Sequence, residues 1–346
     1  TSMIRFSEYV SLGHPDKVAD YISQYLLDRY IERDPDTRYA VEVQIKGWHV
    51  SLGGEVTSRH KMTVDEIRSH VRAAVNNIGY TRAYMDKWGK DNTICGDLLD
   101  IDQYIGQQSP DIAQGLSSGW GDQGIFFGYY AYGSDTYGLS PEHALAKELC
   151  HDLFHSGIGG LDIKTQVVMD DNRVVKVIVA IPLQDDADMA KVENLVRRHK
   201  GCGKCEVIVN GTGRYVKHSS IADCGTTGRK LAVDFYGGAC RIGGGSPWTK
   251  DGSKADLTLN LYARELAKEA ARDCQCDVFV SLACCIGKKQ IEFSICDAAD
   301  NIIAEGIEET DPAELRRHYK LDTPIYASMC RWGLFGRHQL DKVWER

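Results

Sequence analysis

The chain reads as an α+β protein made of three similar layered units. Helical runs with apolar residues every fourth position alternate with pairs of short runs that alternate apolar and polar. This helix-and-hairpin unit recurs about three times along the 346 residues, without a visible sequence repeat. Each unit combines helices with antiparallel strands, which predicts α+β layers. The length suits two or three domains, and 43% apolar with 26% charged residues is the composition of an ordinary globular protein.

The first unit opens with a strand over 4–10 and a turn at Gly13. Pro15 suits the first helical position, where its missing N–H costs nothing. His14, Asp16 and Lys17 then stand at the positive end of a helix, where anions are favoured. An imidazole, a carboxylate and an ammonium in four residues form a kit for phosphate and metal, although a capped helix with a charged first turn reads the same way. The helix is expected over 16–33, with Val18, Ile22, Leu26 and Tyr30 as its buried stripe and Asp34-Pro35 as its stop. Residues 38–48 alternate as a strand, which puts Glu42 and Gln44 on its polar face. Glu42 there is either a solvated position or a site carboxylate. Gly53-Gly54 reads as a turn before Glu55. Thr63 and Glu66 make a capping box for a helix running to 76.

Residues 105–124 are less regular. Ser109-Pro110-Asp111 marks a turn, and the glycine-rich stretch 119–124 presents Asp122 at the entry to a strand over 125–131. A helix over 141–154 places His151 and His155 one turn apart. Without a glutamate beside the first histidine, the pair reads as incidental. A hairpin over 163–169 and 174–181 has Asp162 and Lys164 at its start. A helix over 187–199 and a short strand over 206–210 follow.

From Gly211 the chain changes character. Arg214, Arg229, Lys230, Arg241, Lys250 and Lys254 fall in a stretch dense in glycine and aspartate. The net charge is −8, so this is a local cationic cluster and not the field of a nucleic-acid binder. Gly243-Gly244-Gly245 followed by Lys250 has the chemistry of a phosphate loop, but matches neither the Walker nor the dinucleotide pattern. A flexible solvated loop is the other reading, but it explains so many glycines beside lysines poorly, because glycine is costly in a loop unless backbone shape is needed. A helix over 254–273, strands over 276–285 and 290–297 and a helix over 312–319 complete the pattern. The twelve cysteines are scattered. Cys202 with Cys205 and Cys274 with Cys276 are two candidate halves of a zinc site, but they lack ribbon spacing. With no secretory signal read at the start, disulfides are disfavoured and a cytoplasmic protein is expected. No run is long enough to span a membrane.

Taken in order, the motifs resemble those of the S-adenosylmethionine synthetase (methionine adenosyltransferase) family over nearly the whole chain. They are Gly13-His-Pro-Asp-Lys17, Gly121-Asp-Gln-Gly124, Lys164-Thr-Gln-Val167, Thr212-Gly-Arg-Tyr215, Asp223-Cys-Gly-Thr-Thr-Gly-Arg-Lys230, Val233-Asp-Phe-Tyr-Gly-Gly238, Gly243-Gly-Gly245 with Lys250-Asp-Gly-Ser-Lys254, and Pro324-Ile-Tyr326 with Phe335-Gly-Arg337. The resemblance implies three α+β domains about a pseudo-threefold axis, here 1–104, 109–221 and 222–346. It implies a homodimer with active sites shared between subunits, often paired into a tetramer. The reaction implied joins ATP and L-methionine: sulfur attacks C5′, triphosphate leaves, and it is then hydrolysed to phosphate and pyrophosphate.

By the same resemblance, His14 stands near the breaking C5′–O bond. Lys164, Arg229, Lys230 and Lys250 clamp the triphosphate, and Lys254 lies near the junction of the substrates. Asp16 and Asp256 each hold a magnesium ion, and Glu42 holds potassium. Glu55, Gln108, Asp122, Asp223 and Lys254 form the methionine pocket. Asp162, Arg214, Tyr215, Asp223 and Ser246 line the nucleotide. The chemistry is coherent, because a thioether needs no base and the demand falls on cations that meet the charge of the leaving triphosphate. Hard oxygen ligands suit magnesium. The chain departs from the family in a shorter gate segment before Gly119, in Trp120, in Tyr215 where phenylalanine is usual, and in Ser246-Pro247-Trp248. Alternatives are a tripolyphosphatase, an adenosyltransferase for another thioether, or a non-catalytic ATP-binding subunit. The full set of charged residues weighs against the last.

Overall fold

The structure is a computed structural model that describes residues 2–107, 119–133 and 135–346. Three four-stranded sheets organise it. The first joins β1 (Ile4–Val10), β6 (Lys164–Asp170), β7 (Arg173–Ala180) and β8 (Glu206–Val209) in the order β1-β6-β7-β8. The second joins β2 (Arg38–Lys46), β3 (His49–Thr57), β4 (Asp100–Gly106) and β9 (Gly225–Thr226) in the order β4-β3-β2-β9. The third joins β5 (Gly124–Tyr130), β10 (Val278–Cys284), β11 (Gln290–Asp297) and β12 (Ile302–Glu309) in the order β12-β11-β10-β5.

Each sheet borrows a strand from a distant part of the chain. β1 pairs antiparallel with β6, β5 with β10, and β9 with β2. Cuts at 104/109 and 221/222 therefore separate β1, β5 and β9 from the strands they bond. Closing a longer loop adds little entropic cost, so distant strands pair readily once their faces match.

The longer helices are α1 (Pro15–Ile31), α2 (Val64–Ile78), α3 (Arg82–Trp88), α4 (Pro141–Ser156), α5 (Met189–Arg197), α6 (Ala255–Cys274) and α7 (Pro312–His318). α1 packs on α2 and β2, α4 on β1 and β6, and α6 on β5 and β10. Alanines at 263, 267 and 271 let α6 lie close on its sheet. At Gly128 of β5 a side chain would overlap the Ala263 carbonyl. α2 carries the expected capping box between Thr63 and Glu66.

Two expectations change. Gly53 and Gly54 make no turn. They lie inside β3 opposite Glu42 and Val41, and a Cβ on Gly54 would overlap the Ala40 carbonyl. The strands β4 and β12 and the helix α3 lie beyond the elements the sequence predicts. All twelve cysteines are free, and Cys202 and Cys205 lie in the core of the first sheet while Cys276 packs against that of the third. The two candidate zinc halves thus belong to different cores.

Candidate active site

Helix α1 is buried nearly all round, 15 of its 17 residues. Besides its apolar stripe it carries a polar one. Asp16, Asp20, Gln24 and Asp28 recur every fourth residue and so share a face. Each accepts a backbone N–H from elsewhere in the chain. Asp16 takes that of Thr226 at 2.9 Å, Asp20 that of Gly228 at 2.9 Å and Gln24 that of Thr249 at 2.8 Å. Asp28 takes those of Tyr326 and Ala327 at 2.9 and 3.0 Å. Leaving a buried donor unpaired costs about 1–3 kcal/mol, so these acceptors fix the course of both glycine-rich loops. Gly225 permits the approach, because a Cβ there would overlap the carbonyl of Pro15.

β2 holds the same loops along its second edge. Gln44 and Ile45 pair with Thr226 and Gly225, and Ala40 bridges Lys250. The Thr227 N–H donates to Val43 and the Val41 N–H donates to Thr249, both at 3.0 Å. Thr226 and Lys250 are thus about 13 Å apart along the strand. Between them, one oxygen of Glu42 accepts the Thr227 hydroxyl and the other accepts the Thr249 hydroxyl at 3.1 Å.

His14 stands at one end of this edge. Its Nδ1 caps α1 by accepting the Asp16 N–H at 3.1 Å. Burial, and then the charge of Lys230, lower its pKa to about 3, so the imidazole is neutral at pH 7. With Nδ1 accepting, the ring proton is on Nε2, free to donate. Asp16 pairs with Lys230 at 2.5 Å. Burial favours its neutral form, but the Lys230 and Thr226 hydrogen bonds outweigh that and hold its pKa below the usual range. A side chain at Gly13 would overlap the Leu161 carbonyl. That close crossing puts Asp162 and Lys164 beside His14, and the Lys164 charge acts on the imidazole. Asp162 is buried. Its Oδ2 accepts the Ser219 N–H at 2.8 Å, while Oδ1 has no partner among the described residues. Burial lifts its pKa to about 6, against the Ser219 N–H and Lys164. The Tyr215 hydroxyl donates to the Asp162 carbonyl at 3.1 Å.

At the other end, Lys250 pairs with Asp256 in the first turn of α6, and Lys254 pairs with buried Asp251. Asp251 also accepts the Tyr39 N–H at 2.8 Å. Gly243 lies against the Ile125 carbonyl and Gly245 against the Asp256 carboxylate, too close in both places for a side chain. A side chain at Gly228 would come within 3.5 Å of Ser246, so the two loops lie side by side. Asp122 lies near enough that it and Asp256 both act on the Cys284 thiol, which burial pushes up to about 11. Two cationic clusters joined by one strand, with a neutral imidazole donor at one end, form a surface for an extended polyanion.

Profiles of the S-adenosylmethionine synthetase N-terminal and C-terminal domains match residues 2–110 and 218–346. The S-adenosylmethionine synthase of Desulforudis audaxviator is 35% identical over 385 positions, spanning 98% of this chain and 95% of that protein. The chain belongs to the S-adenosylmethionine synthetase family. The S-adenosylmethionine synthase of Oleidesulfovibrio alaskensis is 33% identical over 379 positions, 98% of this chain and 94% of that one. An S-adenosylmethionine synthetase structure from Campylobacter jejuni matches with a TM-score of 0.89 at 29% identity, over 99% of this chain and 96% of that one. The expected α+β architecture is therefore that of the S-adenosylmethionine synthetase fold.

Of the residues expected in a synthetase site, His14, Asp16, Asp162, Lys164, Tyr215 and Lys230 gather around the start of α1. Glu42, Ser246, Lys250, Lys254 and Asp256 follow along the β2 edge and beyond it. Arg229, Arg214 and Asp223 are exposed. Glu55, opposite Ala40 on β3, and Asp122 are also exposed, and neither side chain bonds another of the expected residues among those described. Gln108 and the gate segment 109–118 lie outside the described residues.

Lys17 corrects the sequence reading. One residue on from Asp16 is about 100° around the helix, and its ammonium points inward. It sits 3.1 Å from Asp20 and 2.7 Å from Asp234, beneath the ring of Trp248. The reading also missed Asp20, Gln24, Thr227, Asp234 and Thr249. A polar residue at every fourth place of α1 was the one available signal.

The donor chemistry fits hard cations. Asp16 and Asp256 are carboxylates, and an ionised carboxylate has lone pairs beyond the bonds described. Glu42 with the Thr227 and Thr249 hydroxyls makes an oxygen-only cradle. Oxygen donors of this kind suit magnesium and potassium better than soft metals.

Proposed function

We infer that this chain is a methionine adenosyltransferase. The sulfur of L-methionine attacks C5′ of ATP, and the released triphosphate is hydrolysed to phosphate and pyrophosphate, leaving S-adenosyl-L-methionine. The observation that carries this reading is the meeting of two basic, glycine-rich loops on one edge of β2, with His14 and Lys164 at one end. The thioether is a nucleophile as it stands. Charge gathers on the leaving oxygen as the C5′–O bond breaks, and His14 donates to it from Nε2. Lys164, Arg229 and Lys230 hold the triphosphate from one side and Lys250 from the other. Because the fold sets these charges before reaction, little reorganisation opposes the step. Lys254, steadied by Asp251, serves the junction of the two substrates.

Asp162 offers its unpartnered oxygen to a hydroxyl or amino group of the nucleoside, which Arg214, Tyr215, Asp223 and Ser246 also line. Glu55, Gln108, Asp122, Asp223 and Lys254 serve methionine. Asp16 and Asp256 would hold two magnesium ions, and Glu42 potassium. Magnesium held there would supply positive charge to offset that of the phosphates.

A second copy would complete the pocket, which accords with the exposure of Glu55 and Asp122. Exposed Ile4 and Phe6 on β1, Ile125 on β5 and Ile307 on β12 suit such an apolar contact. This favours a homodimer with shared sites, and tetramers by further pairing. Among the described residues no helix is long and apolar enough to cross a membrane, and free thiols suit a cytoplasmic setting.

The direct test is mass spectrometry of products from ATP and L-methionine with magnesium and potassium. S-adenosylmethionine, phosphate and pyrophosphate should form, and none without magnesium. A folded, ATP-binding protein that yields no S-adenosylmethionine would sink the reading.

Two further results are expected. Gly245→Ala drives a methyl group into the Asp256 carboxylate. It should weaken activation by magnesium at least roughly tenfold with an unaltered circular dichroism spectrum. An unchanged magnesium dependence would remove Asp256 from the metal. For pH, kcat/KM reports groups of the free enzyme. His14, at about 3, stays neutral across the working range, so no histidine limb is expected. Asp162, at about 6, is the better acceptor when ionised, so kcat/KM for ATP should rise through about pH 6 and then level. Asp162→Asn should abolish that limb. Its persistence would assign the titration elsewhere.

A further inference from the structure

On α4, Glu148, His151 and His155 lie three and four residues apart and so share one face. The C-terminal stretch brings His338 to that face. Its Nε2 lies 2.9 Å from Glu148 Oε1, and its ring centroid lies 4.1 Å from that of His151. One ligating atom each from Glu148, His151 and His338 falls within 4.8 Å of the other two. Metal–ligand bonds of about 2.1 Å would reach all three after small side-chain turns. The rings are now stacked 21° from parallel, so each must swing to aim its in-plane lone pair.

The surroundings are those of a ligand set. His151 Nδ1 is 3.0 Å from Asp152 Oδ1, and the other Asp152 oxygen is 3.0 Å from His199 Nε2. A carboxylate on Nδ1 fixes the proton there and leaves Nε2 with its lone pair, which is the usual outer shell of a metal-binding histidine. His155 donates from Nδ1 to the His151 carbonyl at 2.8 Å, so its Nε2 is free as well. The proposed reaction uses none of these groups.

We propose that Glu148, His151 and His338 form a second metal site, for a divalent transition-metal ion of the zinc class, which ties α4 to the C-terminal stretch. Two imidazoles and one carboxylate select such an ion over magnesium. His155 stands ready as a further ligand. Without metal the same groups form an ion-pair cluster, in which Arg337 also approaches Glu148 at 3.7 Å.

The test uses the full chain, reduced and stripped of metal, titrated with cobalt(II) and with zinc. Thiols are the competing ligands, and cobalt separates the two by its spectrum. One equivalent should bind without thiolate charge-transfer absorption, and excess magnesium should not displace it. Saturating zinc should raise the midpoint of thermal unfolding. His338→Ala and His151→Ala should each lower zinc affinity at least roughly tenfold and abolish that rise, while Cys202→Ser changes neither. Glu148→Gln, which keeps the side chain's shape, should weaken binding in the same direction. Equal affinity in the wild type and His338→Ala, or a cobalt spectrum with thiolate bands, would overturn the proposal.

Discussion

Lys17→Met is expected to destabilise the protein by about 3–5 kcal/mol, lowering the midpoint of thermal unfolding by about 5 °C for a chain of this length. The side chains of Lys17, Asp20 and Asp234 are at most 2% exposed. Methionine keeps the packing of the stem and removes the charge, which leaves two buried carboxyls without their cation. Burial alone would depress the Lys17 pKa, but the Asp234 charge overcomes it and holds the ammonium above its ordinary value. Burial, opposed by Lys17 and helped by Asp234, lifts Asp20 to about 7, and burial also raises Asp234. A carboxyl with a raised native pKa keeps a proton that the unfolded chain releases near pH 4. Native stability therefore falls as pH rises from about 4 through about 7. Removing Lys17 lifts both carboxyls further. The deficit of the variant should be smaller at pH 5, where Asp20 keeps its proton, and full at pH 8. Adding Asp20→Asn should recover part of it. An equal loss at both pH values would mean that the charge is not the cause.

The same triad shows where sequence reading stops. The first-turn residues His14 and Asp16 were legible because capping and helix polarity are local. Lys17, their neighbour, was grouped with them, yet its role is set by Asp234, far along the chain. Glu42 stood open between a solvated position and a site, because its partners Thr227 and Thr249 reach it only through strand pairing. β12 was missed because most of its residues are exposed, which leaves no buried alternation to detect. Gly53-Gly54 imitates a turn, whereas Gly54 serves close passage between strands and a side chain at Gly53 would meet open space. His151 and His155 read as an incidental pair, since Glu148 and the distant His338 complete the cluster only in the fold. The charged side chains proposed for the site are thus readable as candidates, with their roles implied by the family resemblance. The buried acceptors that aim them are not.

Lys250→Ala is expected to slow S-adenosylmethionine formation at least roughly tenfold, a loss of more than ~2 kcal/mol of transition-state stabilisation, with almost no change in thermal stability. The two effects separate because the ion pair with Asp256 is partly solvated, 20% and 29% exposed at the two side chains. Such pairs contribute about 0–1 kcal/mol to folding. The position of residue 250 does not depend on its side chain, since the backbone bridge to Ala40 and the Thr249 carbonyl bond to Val41 survive the change. In the proposed role, what alanine removes is a cation set against charge that grows as triphosphate leaves. The loss should therefore fall mainly on kcat, with a smaller change in KM for ATP, whose ground-state charge the remaining cations still meet. A loss confined to KM would make Lys250 a ground-state contact. A fall in rate that tracks a fall in melting temperature would make it structural, and an unchanged rate would remove it from the clamp.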